Sequence, residues 1–446
     1  MKTTRQDLED TNTFSARKGE LFFDELKLID IVEEHGTPLK INAEGQLQKN
    51  HSFLCSVAKR AASNTSYPEN KYMCGYAIKA NQHQRFVSEA LIHTDFIEAS
   101  SRYDLQLLTE GAAIGKEDLI VCHGFKTEAT EYFKLLLKLH ADGYNILPVV
   151  DSLEELDSFI KTKQHLRIGL RITSFTDREG QQVAERFGIS IENIPEALER
   201  IQQCEHIELD MLHMHVANTF NDVNQRVNDL QNLFKTYTIA RTKGLCVRYI
   251  NVGGGLPSRS QVNEDFYLHY FTALFRQIIK EGDINNNVPI LMNECGRFLV
   301  EESQFHILSV LLEKDNNADF TWYIMNGSSL NILPELHLDP QKKFPLIPLD
   351  GLDTTVTKPV KCVGITCDPE DFFNSEDILL PTLQSFSGYV AIPYTGAYQE
   401  SLIGAARNFP GHCLIRQPKE LIITRSGECT VVQNDDFDIF ASLGYL

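Results

Sequence analysis

The pattern of apolar and polar positions alternates between two periods from about residue 70 to residue 300. Short apolar runs rich in β-branched residues are separated by longer stretches with apolar residues at helical spacing. The runs are YMCGYAIK, DFIEAS, LIVCHG, ILPVVDS, LRIGLRI, LDMLHMHV, RYINVGGG and PILMNE. Alternating strands and helices predict a parallel sheet, and eight such units favour a closed (β/α)8 TIM barrel. An open doubly wound sheet is the competing interpretation.

The pattern changes after residue 300, where helical spacing becomes sparse. The runs there, such as ADFTWYIM, TKPVKCVGITC, SFSGYVAIPY and ELIITRS, are β-branched or aromatic with turn residues between them. They predict an antiparallel β domain. We therefore predict an α/β protein with a (β/α)8 barrel over residues 39–299 and a β-rich domain formed by residues 1–38 and 300–446.

The composition of the chain indicates which kinds of binding partner and which cell compartment to expect. The chain has 446 residues and a formal net charge of −19, which argues against nucleic acid or an anionic membrane as a partner. Its ten cysteines are scattered without a CxxC pair, which is typical of reduced thiols in a cytoplasmic protein rather than of a disulfide scaffold. The amino terminus has no apolar signal-peptide core, and no apolar run reaches the length of a membrane helix. We expect a cytoplasmic enzyme acting on a small molecule.

Reactive residues follow the predicted strands. In a TIM barrel the active site lies at the carboxyl ends of the strands. The residues at these ends are Lys79, Ser100 and Ser101, His123, Asp151, Arg171, His213 and His215, Gly253 to Gly255, and Glu294 with Arg297 shortly after it. Any one of them is explained by a strand returning to solvent, but eight such ends at one face predict an active site.

The residue types at this face fit pyridoxal 5'-phosphate. Glycines in VGGGLP allow backbone N–H groups to approach an anion closely, and Arg297 can add a charged hydrogen bond. Lys79 can form a Schiff base with an aldehyde, and Glu294 can keep a pyridine nitrogen protonated. His213 and His215 also suggest a metal pair, but no matching set of later ligands stands out, so we predict no metal.

Several motifs together resemble those of a known family. YAIKAN, HMHV, VGGGLP, ECGR, TCDPED and GAYQE are similar to motifs of the fold type III, alanine-racemase-like pyridoxal-phosphate decarboxylases. This group includes ornithine, diaminopimelate and biosynthetic arginine decarboxylases. The resemblance extends from GTPLKI near residue 36 to beyond GAYQE near residue 400, and it implies a homodimer whose active sites are shared between subunits.

The resemblance also implies a role for each residue. Lys79 is the lysine that binds the cofactor, His215 stacks on its ring, and Cys367 enters from the other subunit and protonates the product carbon; these three are the catalytic residues. The implied cofactor-binding residues are Lys79, His215, Asn218, Gly253, Gly254, Gly255, Glu294, Arg297 and Tyr398. The candidates for holding the distal cation of the substrate are Asp368, Glu370 and Asp371.

Within the family, IEASSRYDL, VCHGFK and GAYQESL resemble the biosynthetic arginine decarboxylases, which implies conversion of arginine to agmatine in polyamine biosynthesis. NILPEL lacks the arginine that holds a distal carboxylate in the diaminopimelate branch. Two departures are Ala217–Asn218 in place of the usual Gly–Ser, and a chain too short for the helical insertion and carboxyl extension of that group. The alternatives are decarboxylation of ornithine, lysine, diaminopimelate or an amino-acid conjugate, a racemase, and an inactive regulatory homologue.

Overall fold

The computed structural model describes residues 13–173, 186–216, 220–281, 288–315, 319–339, 342–403 and 417–432. The chain forms two compact units. The barrel unit comprises residues 48–257 and 262–299, and the sheet unit comprises residues 1–47, 258–261 and 300–446. Asn218 falls outside the described residues.

The strands of the described residues are β1 (Phe14–Arg17), β2 (Glu20–Phe23), β3 (Leu26–Lys27), β4 (Leu39–Ala43), β5 (Tyr72–Ala77), β6 (Phe96–Ala99), β7 (Leu119–Cys122), β8 (Ile146–Val150), β9 (Leu166–Arg171), β10 (Ile207–His213), β11 (Tyr249–Asn251), β12 (Ile290–Glu294), β13 (Gln304–Lys314), β14 (Thr321–Met325), β15 (Ile347–Pro348), β16 (Thr357–Val363), β17 (Ile378–Pro381), β18 (Tyr389–Ile392), β19 (Lys419–Ile423) and β20 (Cys429–Val431).

The α-helices of the described residues are α1 (Leu28–His35), α2 (Gln46–Thr65), α3 (Gln84–His93), α4 (Arg102–Gln106), α5 (Glu131–Ala141), α6 (Leu153–Lys161), α7 (Ile194–Gln202), α8 (Val223–Asp229), α9 (Gln231–Thr242), α10 (Glu264–Glu281), α11 (Arg297–Val300), α12 (Ser329–Ile332), α13 (Pro334–Leu338) and α14 (Gln399–Ile403). Short 3-10 turns cover Ile78–Ala80 and Glu301–Ser303, and a π-helical turn covers Leu107–Gly111.

Strands β5 to β12 form a closed parallel barrel, which confirms the predicted (β/α)8 fold and excludes the open sheet. Each strand pairs with the next along the chain, and β12 closes the barrel by pairing with β5. The eight predicted runs supply the eight barrel strands. Their side chains fill the interior, where the buried core contains Phe96, Leu119, Val121, Leu147, Val149, Met211, Tyr249 and Met292.

One glycine makes this interior possible. A Cβ atom on Gly75 of β5 would lie 2.3 Å from the ring of Phe96 on the neighbouring strand. Since real Cβ atoms do not approach other heavy atoms so closely, the packing of the large ring requires glycine at this position. The sequence stretch GYAIKAN thus carries a packing constraint immediately before its lysine.

The sheet unit is mixed rather than purely antiparallel, which corrects one part of the prediction. Its main strand order is β17-β16-β14-β13-β4-β19-β20, and β18 pairs with β13 and β15. The pairs β14–β16 and β4–β19 are parallel. Strand β14 reaches β16 through a crossover that contains α12 and α13, and parallel pairs need such long connections.

Strand β4 belongs to this sheet, although the predicted boundary at residue 39 assigns it to the barrel. It pairs with β13 on one side and with β19 on the other. Four of its five residues are buried. Its pattern LKINA alternates apolar and polar residues, which is compatible with a strand of either sheet, so the sequence alone could not assign it. In the described part of the chain, no helix has the length and apolar character needed to cross a membrane.

Candidate active site

Lys79 lies directly beyond β5, in the 3-10 turn Ile78–Ala80. Its ammonium nitrogen lies 3.6 Å from Oε2 of Glu98, a fully buried carboxylate on the adjacent strand β6, and 41% of the lysine side chain is exposed. Ser100 Oγ donates a hydrogen bond to the other oxygen of Glu98. The lysine charge therefore has a partner and partial contact with solvent, which reduces the cost of placing it beside an apolar strand.

Glu294 ends β12 and is buried. Its Oε1 accepts a hydrogen bond of 2.8 Å from Asn251 Nδ2 and lies 2.5 Å from His123 Nε2 and 3.5 Å from His213 Nε2. Burial alone would raise the pKa of Glu294, but its contact with His123 lowers that pKa well below the usual carboxyl range. The carboxylate is ionised, and because these three contacts converge on Oε1, its Oε2 can accept from a ligand.

His213, by contrast, is neutral. Burial, followed by the charge of His123, lowers the pKa of His213 to about 3. The two imidazole rings lie 4.3 Å apart between centroids. His123 is therefore the main electrostatic partner of Glu294, a role that sequence reasoning did not assign to it.

A glycine turn follows β11 and holds His215. Gly253 has φ +70°, and a Cβ atom there would lie 2.6 Å from His215 Nδ1. A Cβ atom on Gly254 would lie 2.8 Å from the carbonyl oxygen of Glu294. Gly255 has φ +88°. The turn thus requires glycine both for its backbone conformation and for the close approach of its neighbours.

The half-buried His215 ring is oriented by this turn. The backbone N–H of Gly254 donates to His215 Nδ1 over 3.1 Å, so Nδ1 is unprotonated and the ring hydrogen is on Nε2. Burial, and next the charge of Lys79, lowers the pKa of His215 well below its usual value. The ring is neutral, as a group that stacks on another aromatic ring should be.

Arg226 on α8 was missed by the sequence reasoning. Its guanidinium is buried and donates to the carbonyl oxygens of Val216, Val252 and Gly254, at 3.2, 3.2 and 2.7 Å. It also lies 4.9 Å from the centre of the Phe220 ring. These contacts join the segment after β10 to the glycine turn after β11. The available signal was an arginine three residues after Val223 on the buried face of a short helix.

The remaining barrel residue is Arg297, which is half-buried at the first position of α11, after Glu294. The predicted site residues of the barrel that the structure describes therefore all lie at or beyond the carboxyl ends of β5, β10, β11 and β12. These strands are consecutive in the closed barrel.

The predicted residues of the sheet unit lie on two segments. Cys367 and Glu370 are exposed, and Asp368 and Tyr398 are half-buried. Asp371 differs, because it is buried and both its carboxylate oxygens are occupied. Oδ1 accepts from the backbone and hydroxyl of Ser329, and Oδ2 accepts from the backbone and hydroxyl of Thr366. Asp371 therefore holds the loop that carries Cys367, which contradicts its predicted role in binding the substrate.

A family model described as "Pyridoxal-dependent decarboxylase, pyridoxal binding domain" matches residues 55–301. The chain belongs to this family. The match confirms the resemblance drawn from the motifs and identifies the cofactor as pyridoxal phosphate. It covers nearly all of the barrel unit and the residues of the glycine turn.

Relatives with known names agree with this assignment. The chain is 26% identical over 351 residues to the biosynthetic arginine decarboxylase of Vibrio vulnificus, covering 72% of this chain and 51% of the relative. It is 29% identical over 300 residues to that of Rhodopirellula baltica, covering 61% and 44%. The chain thus spans about half the length of the curated relatives that it matches.

Solved structures show the same fold. The biosynthetic arginine decarboxylase of Campylobacter jejuni aligns with a TM-score of 0.83 at 20% identity, covering 100% of this chain and 91% of the other. Diaminopimelate decarboxylase of M. jannaschii aligns with a TM-score of 0.78 at 18% identity, covering 97% and 98%. At these identities the similarity establishes the fold, and both branches of the family have it.

The barrel unit fits the cofactor of its family. The glycine turn is a cradle that a side chain would fill, and its backbone can approach a phosphate. Glu294 is an ionised carboxylate that can bind a pyridinium nitrogen, and the neutral His215 can cover a ring. Lys79 supplies the amine.

Proposed function

We propose that the chain is a pyridoxal-phosphate-dependent decarboxylase of basic amino acids, with arginine as substrate and agmatine as product. The observation that carries the proposal is the arrangement of Lys79, His215, the glycine turn and Glu294 around the mouth of one barrel.

The barrel residues divide the work of holding and tuning the cofactor. Bound pyridoxal phosphate supplies a ring that accepts the electron pair left when CO2 departs. Glu294 stays ionised and so holds a proton on the ring nitrogen, which makes the ring a stronger acceptor. Gly253 to Gly255 and Arg297 would bind the phosphate, and His215 would cover the ring. Asn218, which follows His215 closely in sequence, is proposed as a further cofactor contact on the resemblance alone.

The choice of arginine as substrate is proposed from carboxylates of the sheet unit and from the names of the relatives. Asp368 and the exposed Glu370 offer carboxylates beside Cys367, and a carboxylate can bind a guanidinium bidentately. By resemblance, Asn326 stands where ornithine decarboxylases have an acidic residue. Its Oδ1 accepts from Ser309 N–H and its Nδ2 donates to Thr37, both at 2.9 Å. The names of the relatives also favour arginine.

Cys367 is proposed to protonate the product carbon, in the active site of a partner subunit, with Tyr398 near the cofactor. Its exposure in the chain agrees with a contribution to a second copy. We propose a homodimer and a cytoplasmic location. The nine cysteines among the described residues are all free thiols, as a reducing compartment requires.

The experiment that tests the function measures CO2 and amine release from arginine, ornithine, lysine and diaminopimelate by the purified, cofactor-loaded protein. We expect kcat/KM for arginine to exceed that for the others at least tenfold. Lys79→Ala should abolish both activity and the visible absorbance of the bound cofactor. Preference for another amino acid would overturn the substrate, and no CO2 release from any of them would favour an inactive homologue.

The role of Cys367 has its own test. Cys367→Ala should retain the cofactor but lose most amine production, whereas Cys246→Ala, at another exposed cysteine, should behave as the wild type. If the sites are shared, mixing Lys79→Ala with Cys367→Ala protein should restore part of the activity through hybrid dimers. Verified subunit exchange without recovery would contradict a shared site.

A further inference from the structure

Three metal-binding side chains meet at the amino-terminal end of β6, away from the strand ends that carry Lys79. His51 and Cys55 are four residues apart on α2, so they share a helix face. Asp95 directly precedes β6. Cys55 Sγ lies 3.5 Å from His51 Nε2, and His51 Nε2 lies 3.9 Å from Asp95 Oδ2. All three donor atoms lie within 4.8 Å of one another.

We propose that His51, Cys55 and Asp95 bind a Zn²⁺ ion with three protein ligands and one water. Thiolate, imidazole and carboxylate are the ligands that zinc takes in proteins, at about 2.0–2.3 Å in tetrahedral geometry. Such bonds separate a sulfur and a nitrogen ligand by about 3.6 Å, and a nitrogen and an oxygen ligand by about 3.4 Å. The first separation is already present, and the second is reached by a small movement of Asp95.

The surroundings agree with a site that is built and accessible. The backbone N–H of Cys74 donates to Asp95 Oδ2 over 2.7 Å, which orients the carboxylate as a neighbouring hydrogen bond should. The side chain of Asp95 is 42% exposed and that of His51 is 15% exposed, so an ion can enter from solvent. Cys55 lies at the inner end and is half-buried.

The proton balance follows from the thiol. Without metal the Cys55 sulfur carries its hydrogen, since a cysteine thiol is mostly protonated near neutral pH. On binding, the S–H bond breaks, the sulfur keeps the electron pair and donates it to Zn²⁺, and one proton goes to the solvent. No oxidant or reductant is required, and affinity should rise with pH.

The proposed site joins α2 to the entry of β6. An ion that binds the folded barrel unit and not the unfolded chain stabilises it in proportion to the logarithm of its concentration. The effect should therefore appear as a zinc-dependent rise in melting temperature, independent of the decarboxylation reaction.

The test adds ZnCl2 to cofactor-loaded protein and measures bound zinc by elemental analysis after desalting. We expect one zinc per chain in the wild type, one proton released per zinc, and protection of Cys55 from alkylation by iodoacetamide. Cys55→Ser, His51→Gln and Asp95→Asn should each weaken zinc affinity more than about tenfold, since even indirect supporting groups cost that much.

Two controls locate the ion. Cys204→Ser changes another half-buried cysteine 3.5 Å from a histidine, His206, and should retain zinc. His213→Gln alters the other three-donor group of the described residues, His123, His213 and Glu294, and should also retain it. The proposal is overturned if wild type binds no zinc, if the Cys55, His51 and Asp95 variants bind it as wild type does, or if zinc is lost with His213.

Discussion

Replacing Gly253 by alanine tests whether the glycine turn shapes the candidate active site. At φ +70° an alanine costs about 1–2 kcal/mol in backbone strain. Its Cβ atom would also lie 2.6 Å from His215 Nδ1 and 3.0 Å from His215 Cα and Cβ. Because Cα is a backbone atom that cannot move alone, we expect a further cost of about 1–3 kcal/mol from overpacking, and a displaced ring.

Gly244→Ala is the matched control. Gly244 lies in the same unit with φ +77°, and a Cβ atom there has no heavy atom within 4 Å. It carries the strain without the clash. At about 2–4 °C per kcal/mol for a unit of this size, the extra cost of about 1–3 kcal/mol should make Gly253→Ala melt about 2–12 °C below Gly244→Ala, and it should lose most of its cofactor absorbance. Equal melting temperatures with full cofactor in both variants would refute the reasoning.

Three further predictions concern groups whose environment is unusual. Burial lowers the pKa of His213 and of His306 to about 3; both stay neutral when folded, so stability is full above about pH 6.5 and falls as the pH drops towards 3. Urea unfolding should show that the free energy of unfolding falls by about 2 kcal/mol per histidine between pH 7.5 and 5. If His306→Gln loses as much stability over this pH range as the wild type does, the prediction for His306 is wrong. Arg226→Met should cost about 3–5 kcal/mol by thermal or urea unfolding and release the cofactor, because three carbonyl oxygens lose a charged donor; unchanged stability would show that these bonds are dispensable. Asp371→Asn should lower kcat about tenfold with normal cofactor content, with Asp377→Asn as the control. The amide NH2 of asparagine would face N–H and O–H groups of Ser329 or Thr366 that need an acceptor. A wild-type kcat would mean that the Cys367 loop does not depend on the Asp371 carboxylate.

The barrel could be predicted because its signal is local. Each strand is a short apolar run, and each run is followed by the residue that reaches the mouth, as with Lys79 after β5 and Glu294 at the end of β12. A parallel barrel brings all such ends to one rim. Hence spacing along the sequence was enough to predict that these polar residues lie at the same end of the barrel.

The supporting residues could not be predicted because their partners are distant in sequence and are backbone atoms or buried carboxylates. Arg226 donates to backbone carbonyl oxygens on two different segments. Since every residue has such a carbonyl, the sequence does not show which ones accept from Arg226. His123 was noticed only as a strand end, since its meeting with Glu294 depends on the barrel cross-section. Asp371 was mistaken for a substrate ligand for the same reason: an acidic turn in sequence does not reveal that Ser329 and Thr366 already occupy it.

Closure of the barrel is what assembles the site. Lys79 follows the first strand and Glu294 ends the last, and in an open sheet with the strands in chain order these would lie at opposite edges. Here β12 pairs with β5, with Glu294 opposite Gly75, and the N–H of Cys295 donates to the Gly75 carbonyl over 2.7 Å. The glycine that admits the Phe96 ring into the interior thus also lies in the seam that brings the lysine and the carboxylate together. Because the same pairing serves both, a loss of packing at Gly75 should damage the site as directly as a substitution within it.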